Sequence, residues 1–413
     1  MNALDTSASA SGAIDGLVTI TARPGRSART VFRLLENLRG GSLDVRLADG
    51  ASFAFGDGVP VAAMQVHDER AFDEILARGD IGLADTYVDG RWDSPDLARL
   101  LTLFAENREP LSRAVYGSFF RLLGARLRHR FNANSRAGAR RNIMAHYDLG
   151  NDFYREWLDP TMSYSSALFS ADDSRSLAKA QEAKYRRILR RIGARPGDRI
   201  LEIGCGWGGF AEVAAREAGA EVHGVTLSPA QLEWAQERMR AAGLDGRVRL
   251  ELVDYRDLSG QYDHIVSIEM FEAVGERWWP AYFGALSRLL KPEGRALIQT
   301  ITIRDDLFAR YRRGTDFIQQ QIFPGGMLPS SGVFCRQAGA AGLLVRDAFA
   351  FGKDYARTLA MWREAFEAAW PNIERLGFDE RFRRLWRLYL AYCEAGFASG
   401  CTDVMQFELA HGR

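Results

Sequence analysis

Residues 199–215 read RILEIGCGWGGFAEVAA, and this stretch decides the fold. A short apolar run predicts a strand, the glycines predict a tight turn, and the residues after Gly209 have helical spacing. Gly204, Gly206 and Gly208 let the backbone bend sharply and let a ligand approach closely, because glycine has no Cβ. The first amides of the following helix would point at that ligand. The stretch therefore predicts a cofactor-binding loop between a strand and a helix.

The same alternation of strands and helices continues towards the C-terminus. Further apolar, β-rich runs lie at residues 221–226, 249–253, 264–268 and 295–303. Helical patterns occupy 210–219 and 229–243, and strands that alternate with helices predict a parallel sheet covered on both faces. The last strands are expected at 343–351 and 403–410, on either side of an aromatic-rich helical region at 355–397. The predicted fold class is α/β with a Rossmann-like sheet.

The glycine loop satisfies two signatures that predict different cofactors. Its spacing fits G-x-G-x-x-G, which is typical of dinucleotide binding when an acidic residue ends the second strand. Here that strand ends at Thr226 and Leu227. Glu202 precedes the loop, and E-x-G-x-G-x-G is the form found in methyltransferases that bind S-adenosylmethionine. We therefore expect S-adenosylmethionine, with an NAD-linked oxidoreductase second and a purely structural glycine turn third.

A polar loop follows the third predicted strand. Asp254, Tyr255 and Arg256 lie there, where an acidic or polar side chain can meet the adenine of a cofactor. The alternative for each is an ordinary surface loop residue.

The N-terminal part of the chain precedes this sheet. Residues 1–30 are predicted to be a disordered tail, and residues 31–110 a small α+β domain. Alternating apolar residues at 42–50 and 51–58 predict a hairpin, and the helical spacing at 68–79 ends at a glycine. Another helix is expected after Pro95.

A basic segment, residues 111–145, connects this domain to the sheet. From residue 111 to residue 147 the chain has no Asp or Glu but has eight arginines, Arg113, Arg121, Arg126, Arg128, Arg130, Arg136, Arg140 and Arg141. Apolar side chains among the first five are typical of a helix on an anionic membrane surface. A solvated linker helix packed on its own protein is an equally good interpretation of this segment alone. Nucleic-acid binding is a weaker one, because no nucleic-acid motif accompanies the arginines.

The overall composition adds a few expectations. The chain of 413 residues has a formal net charge of +1, so any preference for anions must come from local clusters. The four cysteines, Cys205, Cys335, Cys393 and Cys401, form no metal-ligand spacing. We expect reduced thiols, no bound metal and a cytoplasmic location. No apolar run reaches the length of a bilayer span, and the N-terminus lacks the pattern of a signal peptide.

Six ordered motifs give the chain a family resemblance. They are HYDLGNDFYREWLDPTMSYSSALF at 146–169, LEIGCGWGGFA at 201–211, GVTLSPAQLEWAQER at 224–238, MFEAVGERWWPAYF at 270–283, IFPGGMLPS at 322–330 and FGKDYARTL at 351–359. The series resembles the cyclopropane-fatty-acyl-phospholipid synthases and the mycolic acid cyclopropane synthases, a family of S-adenosylmethionine-dependent methyltransferases. The match is weaker over the N-terminal domain. The resemblance implies a catalytic domain at residues 146–413.

The resemblance also implies roles for single residues. It implies cofactor contacts from Tyr164, Ser165, Gly204, Gly206, Thr226, Leu227 and Gln231. It implies a bicarbonate ion beside the reacting carbon, on positions that here are Glu272, Ile301 and Tyr355. His146 becomes a candidate site residue through its motif. From the residues alone, Glu272 is an ordinary carboxylate at a helix start, His146 an ordinary core histidine, and the nearby Glu269 a residue that could share the role of Glu272.

Three positions depart from the best-known bacterial pattern. Ser166 lies where many members have cysteine, and Ala273 lies where histidine is common. Gln299 lies where many members have a histidine that contacts the bicarbonate. An amide can donate and accept hydrogen bonds but cannot carry a proton charge. Either the ion binds in an altered network, or the final deprotonation differs.

The implied reaction is methyl transfer to a double bond of an unsaturated phospholipid acyl chain. The resulting carbocation needs a dry pocket, which a minority of the aromatic side chains at 355–397 would line. Loss of a proton from the new methyl group gives a cyclopropane, our first expectation, and loss from a neighbouring carbon gives a methyl-branched or methylene chain.

The expected partners follow from that substrate. They are phospholipids at the membrane surface, with the protein peripheral on the inner face of the membrane and no nucleic acid involved; a homodimer stays open. A non-catalytic lipid-binding protein is the remaining alternative, which the glycine loop and Glu272 disfavour.

Overall fold

The computed structural model describes residues 24–111, 149–169 and 175–412. The strands are β1 (Ser42–Arg46), β2 (Ser52–Gly56), β3 (Val61–Val66), β4 (Trp92–Asp93), β5 (Arg199–Ile203), β6 (Glu221–Thr226), β7 (Val248–Leu252), β8 (Tyr262–Ile268), β9 (Leu290–Ile303), β10 (Leu343–Ala350) and β11 (Thr402–His411). The helices are α1 (Arg26–Leu35), α2 (Arg70–Arg78), α3 (Asp80–Val88), α4 (Leu97–Glu106), α5 (Gly150–Arg155), α6 (Leu177–Ile192), α7 (Gly209–Glu217), α8 (Pro229–Ala241), α9 (Trp279–Leu289), α10 (Asp305–Tyr311), α11 (Ser331–Ala340), α12 (Gly352–Arg375) and α13 (Glu380–Ala398).

The larger sheet has seven strands in the order β10-β11-β9-β8-β5-β6-β7. Strands β7, β6, β5, β8 and β9 are parallel, which confirms the Rossmann-like α/β prediction. Strand β11 runs antiparallel to both β9 and β10, so the sheet is not parallel throughout. The reason is the helical pair α12–α13, which follows β10. It returns the chain to the same end of the sheet at which β10 finishes. Strand β11 must then run in the opposite direction.

Helices cover both faces of this sheet. Leu201 and Ile203 of β5 pack with side chains of α9 and α11. Ile200, which directly precedes Leu201, packs on the other face with α6, α7 and α8. This division follows from the two-residue period of a strand, which sends successive side chains to opposite faces. A strand buried on both faces explains the continuous apolar run in the sequence.

The N-terminal unit, residues 24–111, has a four-stranded sheet in the order β2-β1-β3-β4. The predicted hairpin is β1–β2, with Leu43 opposite Phe55, and the predicted helices are α2, which ends at Gly79, and α4. The expected boundary at residue 31 is wrong, because α1 begins at Arg26. Helix α1 and strand β3 were not predicted, although α1 buries Ala28, Val31, Phe32 and Leu35 at helical spacing.

The N-terminal unit shares a hydrophobic core with the catalytic part of the chain. Side chains of α1 to α4 and of α12 and α13 belong to one buried cluster. The guanidinium of Arg384 on α13 donates to the carbonyl oxygens of Tyr87, at 2.7 Å, and Trp92, at 3.0 Å. The hydroxyl of Tyr392 donates to Asp80 at 3.1 Å. These contacts fix the unit on the helical pair that connects the last two strands.

Most of the predicted basic segment, from residue 112 to its end at 145, lies outside the described residues, and so does His146. In the described ranges, each helix is too short or too polar to cross a bilayer. The same ranges contain no cluster of three or more His, Cys, Asp or Glu side chains that could hold a metal ion. The four cysteines are free thiols.

Gly208 provides a test of how the turn after β5 depends on glycine. Its φ is +82°, and a Cβ there would lie 3.2 Å from both Ala235 Cβ and Met239 Cε on α8. Gly243 also has a positive φ, +66°, but open space around it. We expect Gly243→Ala to lower the free energy of unfolding by about 1–2 kcal/mol, the cost of a left-handed backbone for alanine.

Gly208→Ala should cost about 1–3 kcal/mol more, because the added methyl group also overpacks the contact between α7 and α8. Denaturant unfolding of the two variants beside the wild type measures the difference. Equal losses would show that the close approach of α8 does not require this glycine.

Candidate active site

A cavity of about 170 Å³ lies at the carboxyl ends of β5, β6 and β7. Its lining includes the residues predicted to bind the cofactor: Tyr164, Ser165, Glu202, Gly204, Gly206, Thr226, Leu227, Gln231, Asp254, Tyr255 and Arg256. Gly208, which was also predicted to bind it, lies outside the cavity and packs against α8. The carboxyl edge of a parallel sheet is where open α/β folds bind ligands, since the loops of several strands meet there.

The glycine loop forms the floor of this cavity. Gly204 and Gly206 have φ values of +86° and +51°, which side chains rarely adopt. A Cβ on Gly206 would project into open space, whereas one on Gly204 would crowd Met270 at 3.1 Å. Helix α7 begins at Gly209, so its first amides face the loop. The loop therefore offers a close backbone approach beside a helix start, as the sequence predicted.

Glu202 is a buried carboxylate in the lining of this cavity. Desolvation raises its pKa well above the ordinary value, against the opposing charges of Arg238 and Lys184. Within the described residues its Oε2 atom is buried and accepts no hydrogen bond. A buried acceptor of this kind fits a ligand that brings hydroxyl or ammonium donors, which S-adenosylmethionine does.

Hydrogen bonds fix the other polar residues at the rim of the cavity. Thr226 donates to Gln231 at 3.2 Å, which turns the Gln231 amide so that its NH₂ group remains the donor end. Asp254 accepts two hydrogen bonds from the Arg256 guanidinium, at 2.8 and 2.5 Å. The pair leaves carboxylate and guanidinium edges beside the cavity, where hydrogen bonds to an adenine or ribose can form.

A second cavity, of about 600 Å³, adjoins the first. Its wall is largely apolar and comes from both the N-terminal unit and the catalytic part of the chain. Tyr164, Glu269 and Ala273 line both cavities, so the two meet at these residues. Of the aromatic side chains predicted at 355–397, Trp362 and Phe366 are core, while Tyr355 and Tyr389 line the second cavity. The geometry is that of a polar cofactor site opening into a cavity for an apolar substrate.

Glu269 lies at the junction and is held by three hydrogen bonds. Its Oε1 accepts from the Ser166 amide and the Gln299 side chain, both at 2.8 Å, and its Oε2 accepts from the Tyr355 hydroxyl at 2.6 Å. The residue has a φ of +50°, a left-handed conformation that costs a side chain of order 1–3 kcal/mol. Backbone strain of this size persists only where surrounding contacts stabilise it. Here the three hydrogen bonds to the Glu269 carboxylate do so.

Glu272, the predicted catalytic carboxylate, lies close to Glu269. Its Oε1 accepts a hydrogen bond from the amide of Ile301, and its Oε2 is buried and accepts none from described residues. Burial and the charge of Glu269 raise the pKa of Glu272 to about 8. Burial raises the pKa of Glu269 too, but Lys184 and three hydrogen bonds oppose that rise. We therefore assign the shared negative charge to Glu269 and a proton to Glu272 at neutral pH.

Comparison with known proteins places this geometry in a family. The family model described as mycolic acid cyclopropane synthetase matches residues 134–407. The chain belongs to this family. It is 41% identical over 377 residues to the tuberculostearic acid methyltransferase UfaA1 of Mycobacterium tuberculosis, covering 89% of this chain and 88% of that one. It is 38% identical over 371 residues to the cyclopropane-fatty-acyl-phospholipid synthase of Escherichia coli K12, covering 89% and 92%.

A solved structure gives the same result. The mycolic acid cyclopropane synthase CmaA1, complexed with SAH and CTAB, is 35% identical and superposes with a TM-score of 0.61. That match covers 65% of this chain and 97% of CmaA1. The protein described here is accordingly an S-adenosylmethionine-dependent methyltransferase of this family.

The bicarbonate implied by the resemblance does not fit this site. Gln299 and Tyr355 are two of the expected contacts of that ion, and both donate to the Glu269 carboxylate, as does Ser166. Ile301 and Glu272, the other two expected contacts, are hydrogen-bonded to each other. Ser166 donates through its amide, while its hydroxyl donates to the Ala167 carbonyl oxygen at 3.0 Å. A second anion there would be repelled by the negative charge of Glu269, and the donors that should bind it are already hydrogen-bonded to that carboxylate. The expected ligand set is therefore corrected: its donors surround a carboxylate of the chain itself.

Lys184 is a site residue that sequence reasoning missed. It lies fully buried on α6, and its ammonium donates to Ser165 at 2.5 Å and to Gln181 at 2.6 Å. Desolvation lowers its pKa to about 8, while the charges of Glu269, Asp159 and Glu202 oppose the shift. The available signal was its place on the apolar face of α6, where a lysine is rarely buried without a partner.

The charge of Lys184 gives a testable prediction. Lys184→Met keeps a linear side chain but removes the cation that stabilises ionised Glu269, so the pKa of Glu269 should rise further. Activity that requires ionised Glu269 is lost as pH falls through that pKa, so the acid limb of the pH–rate profile should move to higher pH, by about one unit.

Lys179→Met is the matched control, because Lys179 is exposed near the start of the same helix. Methyl-transfer rates across pH would compare the two variants with the wild type. If Lys184→Met left the acid limb in place, or Lys179→Met moved it equally, the assigned role of the buried cation would be wrong.

Proposed function

We propose that the enzyme transfers the methyl group of S-adenosylmethionine to a double bond of an unsaturated phospholipid acyl chain. The observation that carries the proposal is the meeting of the polar and the apolar cavity at Tyr164, Glu269 and Ala273. A linear alkene requires an apolar cavity of this kind, and a carboxylate at its end can accept a proton. Relatives at 41% and 38% identity, named for tuberculostearic acid and cyclopropane fatty acyl phospholipid, support acyl chains as the substrate class.

The residues around the junction suit a reaction through a carbocation. The bound cofactor supplies an electrophilic methyl group, which the alkene takes up through its electron pair. The cation left on the chain would be captured by water, and the buried walls exclude water. Tyr164, Tyr355 and Tyr389 line the cavity, and aromatic faces stabilise a cation by roughly 0.5–2 kcal/mol each. A hydrogen bond of 2.7 Å between the hydroxyls of Tyr164 and Tyr389 fixes both rings.

Glu269 is the proposed proton acceptor. For ring closure, a C–H bond of the new methyl group breaks, its electron pair forms the third carbon–carbon bond of the cyclopropane, and the proton passes to the Glu269 carboxylate. The hydrogen bonds from Ser166, Gln299 and Tyr355 orient that carboxylate. A cyclopropane fatty acyl chain is the first product we propose.

A second product class is favoured by the same carboxylate. Glu269 accepts hydrogen bonds from the donors expected around the bicarbonate. The proposed base that selects the departing proton is therefore a side chain of the protein. If the proton leaves from the carbon that bears the new methyl group, its C–H electron pair forms a C=C bond and the product is a methyl-branched unsaturated chain. A methylene chain forms when the hydride of that carbon first shifts to the cationic carbon and the methyl group then loses a proton, whose C–H electron pair forms the C=C bond. The 41% identity to a protein named tuberculostearic acid methyltransferase supports this alternative.

The origin of the substrate completes the proposal. Phospholipid chains lie in a bilayer, so the enzyme must work at a membrane surface. We propose that the basic segment, residues 111–145, docks the protein on anionic lipid of the inner membrane face, because its arginines and apolar residues together suit such a surface.

The product can be read directly. Purified enzyme is incubated with unsaturated phospholipid vesicles and a donor deuterated in its methyl group, and the lipids are analysed by mass spectrometry and NMR. With the deuterated donor, mass spectrometry separates a methyl branch, which retains all three deuterons, from a ring or a methylene, which retain two. A parallel incubation with unlabelled donor separates the last two by proton NMR, since a ring gives high-field cyclopropane protons and a methylene gives vinylic protons. Lipid without added label would contradict the proposed function, and equal rates on anionic and neutral vesicles would contradict electrostatic docking.

Glu269→Gln tests the proposed base. The amide keeps the shape but cannot accept the proton, so kcat should fall by about 10²–10⁴-fold, the usual contribution of a general base. Binding of S-adenosylhomocysteine by calorimetry should be retained, which separates chemistry from folding.

Removing bicarbonate also tests whether Glu269, and not a bound bicarbonate ion, is the base. Wild-type turnover should be equal in CO₂-free buffer and in buffer with added bicarbonate, since Glu269 takes the hydrogen bonds around that ion. Dependence of the wild type on bicarbonate would contradict the role given to Glu269.

A further inference from the structure

The N-terminal unit contributes one end of the apolar cavity. Six of its side chains line that end, which we call the N-terminal wall: Val31, Leu35, Met64, Phe72, Ile75 and Leu101. All six are apolar, and the unit adds two charged residues to the lining, Asp80 and Arg108. The junction with the cofactor cavity, at Tyr164 and Glu269, belongs to the catalytic part of the chain. The cavity therefore extends from the reacting end to the largely apolar side chains of the N-terminal unit.

The N-terminal wall is a closed end. Leu35 and Met64 are each 4% exposed and Phe72 is 1% exposed, so these side chains are core residues of the unit. The lining also has an exposed residue, Arg310 at the end of α10. A polar headgroup cannot enter a closed apolar end without losing its hydration, whereas hydrocarbon gains from the same burial.

We propose that the N-terminal wall receives the methyl-terminal part of the acyl chain and limits how many carbons can lie beyond the reacting double bond. The inference rests on the proposed lipid substrate and makes the unit a determinant of specificity. With the double bond fixed at the junction and the headgroup outside, the remaining hydrocarbon is the segment that matches an apolar closed end. Empty apolar volume destabilises a folded protein, so the cavity favours an apolar occupant.

The matches to relatives agree with a role for this unit in only part of the family. The family model begins at residue 134, beyond the unit. The match to the Escherichia coli phospholipid synthase spans 371 residues, more than the chain holds after residue 111, so it extends into the unit. The N-terminal wall is thus an addition to the shared catalytic fold.

A filling variant and a matched control test the proposal. Leu35→Phe places extra carbons in the N-terminal wall, and Leu38→Phe makes the same change at a residue that is equally buried, 4% exposed, but does not line the cavity. The substrates are two phospholipids with the double bond at the same distance from the ester, one with a short and one with a long segment beyond it.

Leu35→Phe should lower the ratio of long-segment to short-segment turnover by about tenfold or more, since one methylene in an apolar pocket changes specificity by roughly 10–200-fold. Leu38→Phe should lower thermal stability but leave the ratio unchanged. Equal ratios in both variants and the wild type, or equal shifts in both variants, would overturn the proposal.

Photo-crosslinking of the wild type gives an answer that needs neither variant nor turnover. The probe is a phospholipid with a diazirine at the methyl end of its acyl chain, presented in vesicles of zwitterionic and anionic phospholipid. Peptide mass spectrometry should find the label on residues 24–111. Label confined to residues 149–412 would overturn the proposal. Label on the N-terminal unit without any methylated lipid would refute the proposed function and leave the chain-binding inference standing.

Discussion

The site depends on one buried anion, the carboxylate of Glu269, held at the junction of two cavities. Burying a carboxylate is costly unless it is paired and hydrogen-bonded, and here both conditions are met. Three donors contact it, and the positive charge of Lys184, whose ammonium donates to Ser165, partly compensates its negative charge. Its left-handed backbone adds a further cost that a glycine would not have. The surrounding contacts offset both costs and keep the Glu269 carboxylate fixed at the junction, where the proposed mechanism requires a base.

The electrostatics of the cofactor side follow from the same constraint. Glu202 is buried, Glu269 and Glu272 are partly buried, and each carries a raised pKa because of desolvation. The protein cannot keep three neighbouring carboxylates ionised with one buried lysine. Hydrogen bonding decides the distribution: Glu269 has three donors, while Glu272 has a buried oxygen without a described donor. The pair is therefore poised with one base and one acid at the end of the substrate cavity.

Local patterns predicted the scaffold, and long-range contacts made the site. The strand, glycine turn and helix at 199–215 are encoded within a few residues, so Gly204 and Gly206 could be placed from sequence. The donors to Glu269 come from positions 30, 86 and 103 residues away, and spacing cannot reveal such contacts. The N-terminal wall was missed for the same reason, because its residues meet the catalytic part only in the fold. The direction of β11 was missed since it depends on where α12 and α13 return the chain.

Gln299 shows why the departures from the family pattern belong together. The Arg187 guanidinium, which can only donate, contacts the Gln406 carbonyl oxygen; the Gln406 NH₂ donates to Gln299 at 2.9 Å, and the Gln299 NH₂ donates to Glu269. A donor-only group at one end and a carboxylate at the other orient both amides. A histidine in place of Gln299 could take up the proton and share it with Glu269. An amide cannot, so in the proposed mechanism the proton removed from substrate stays on the Glu269 carboxylate.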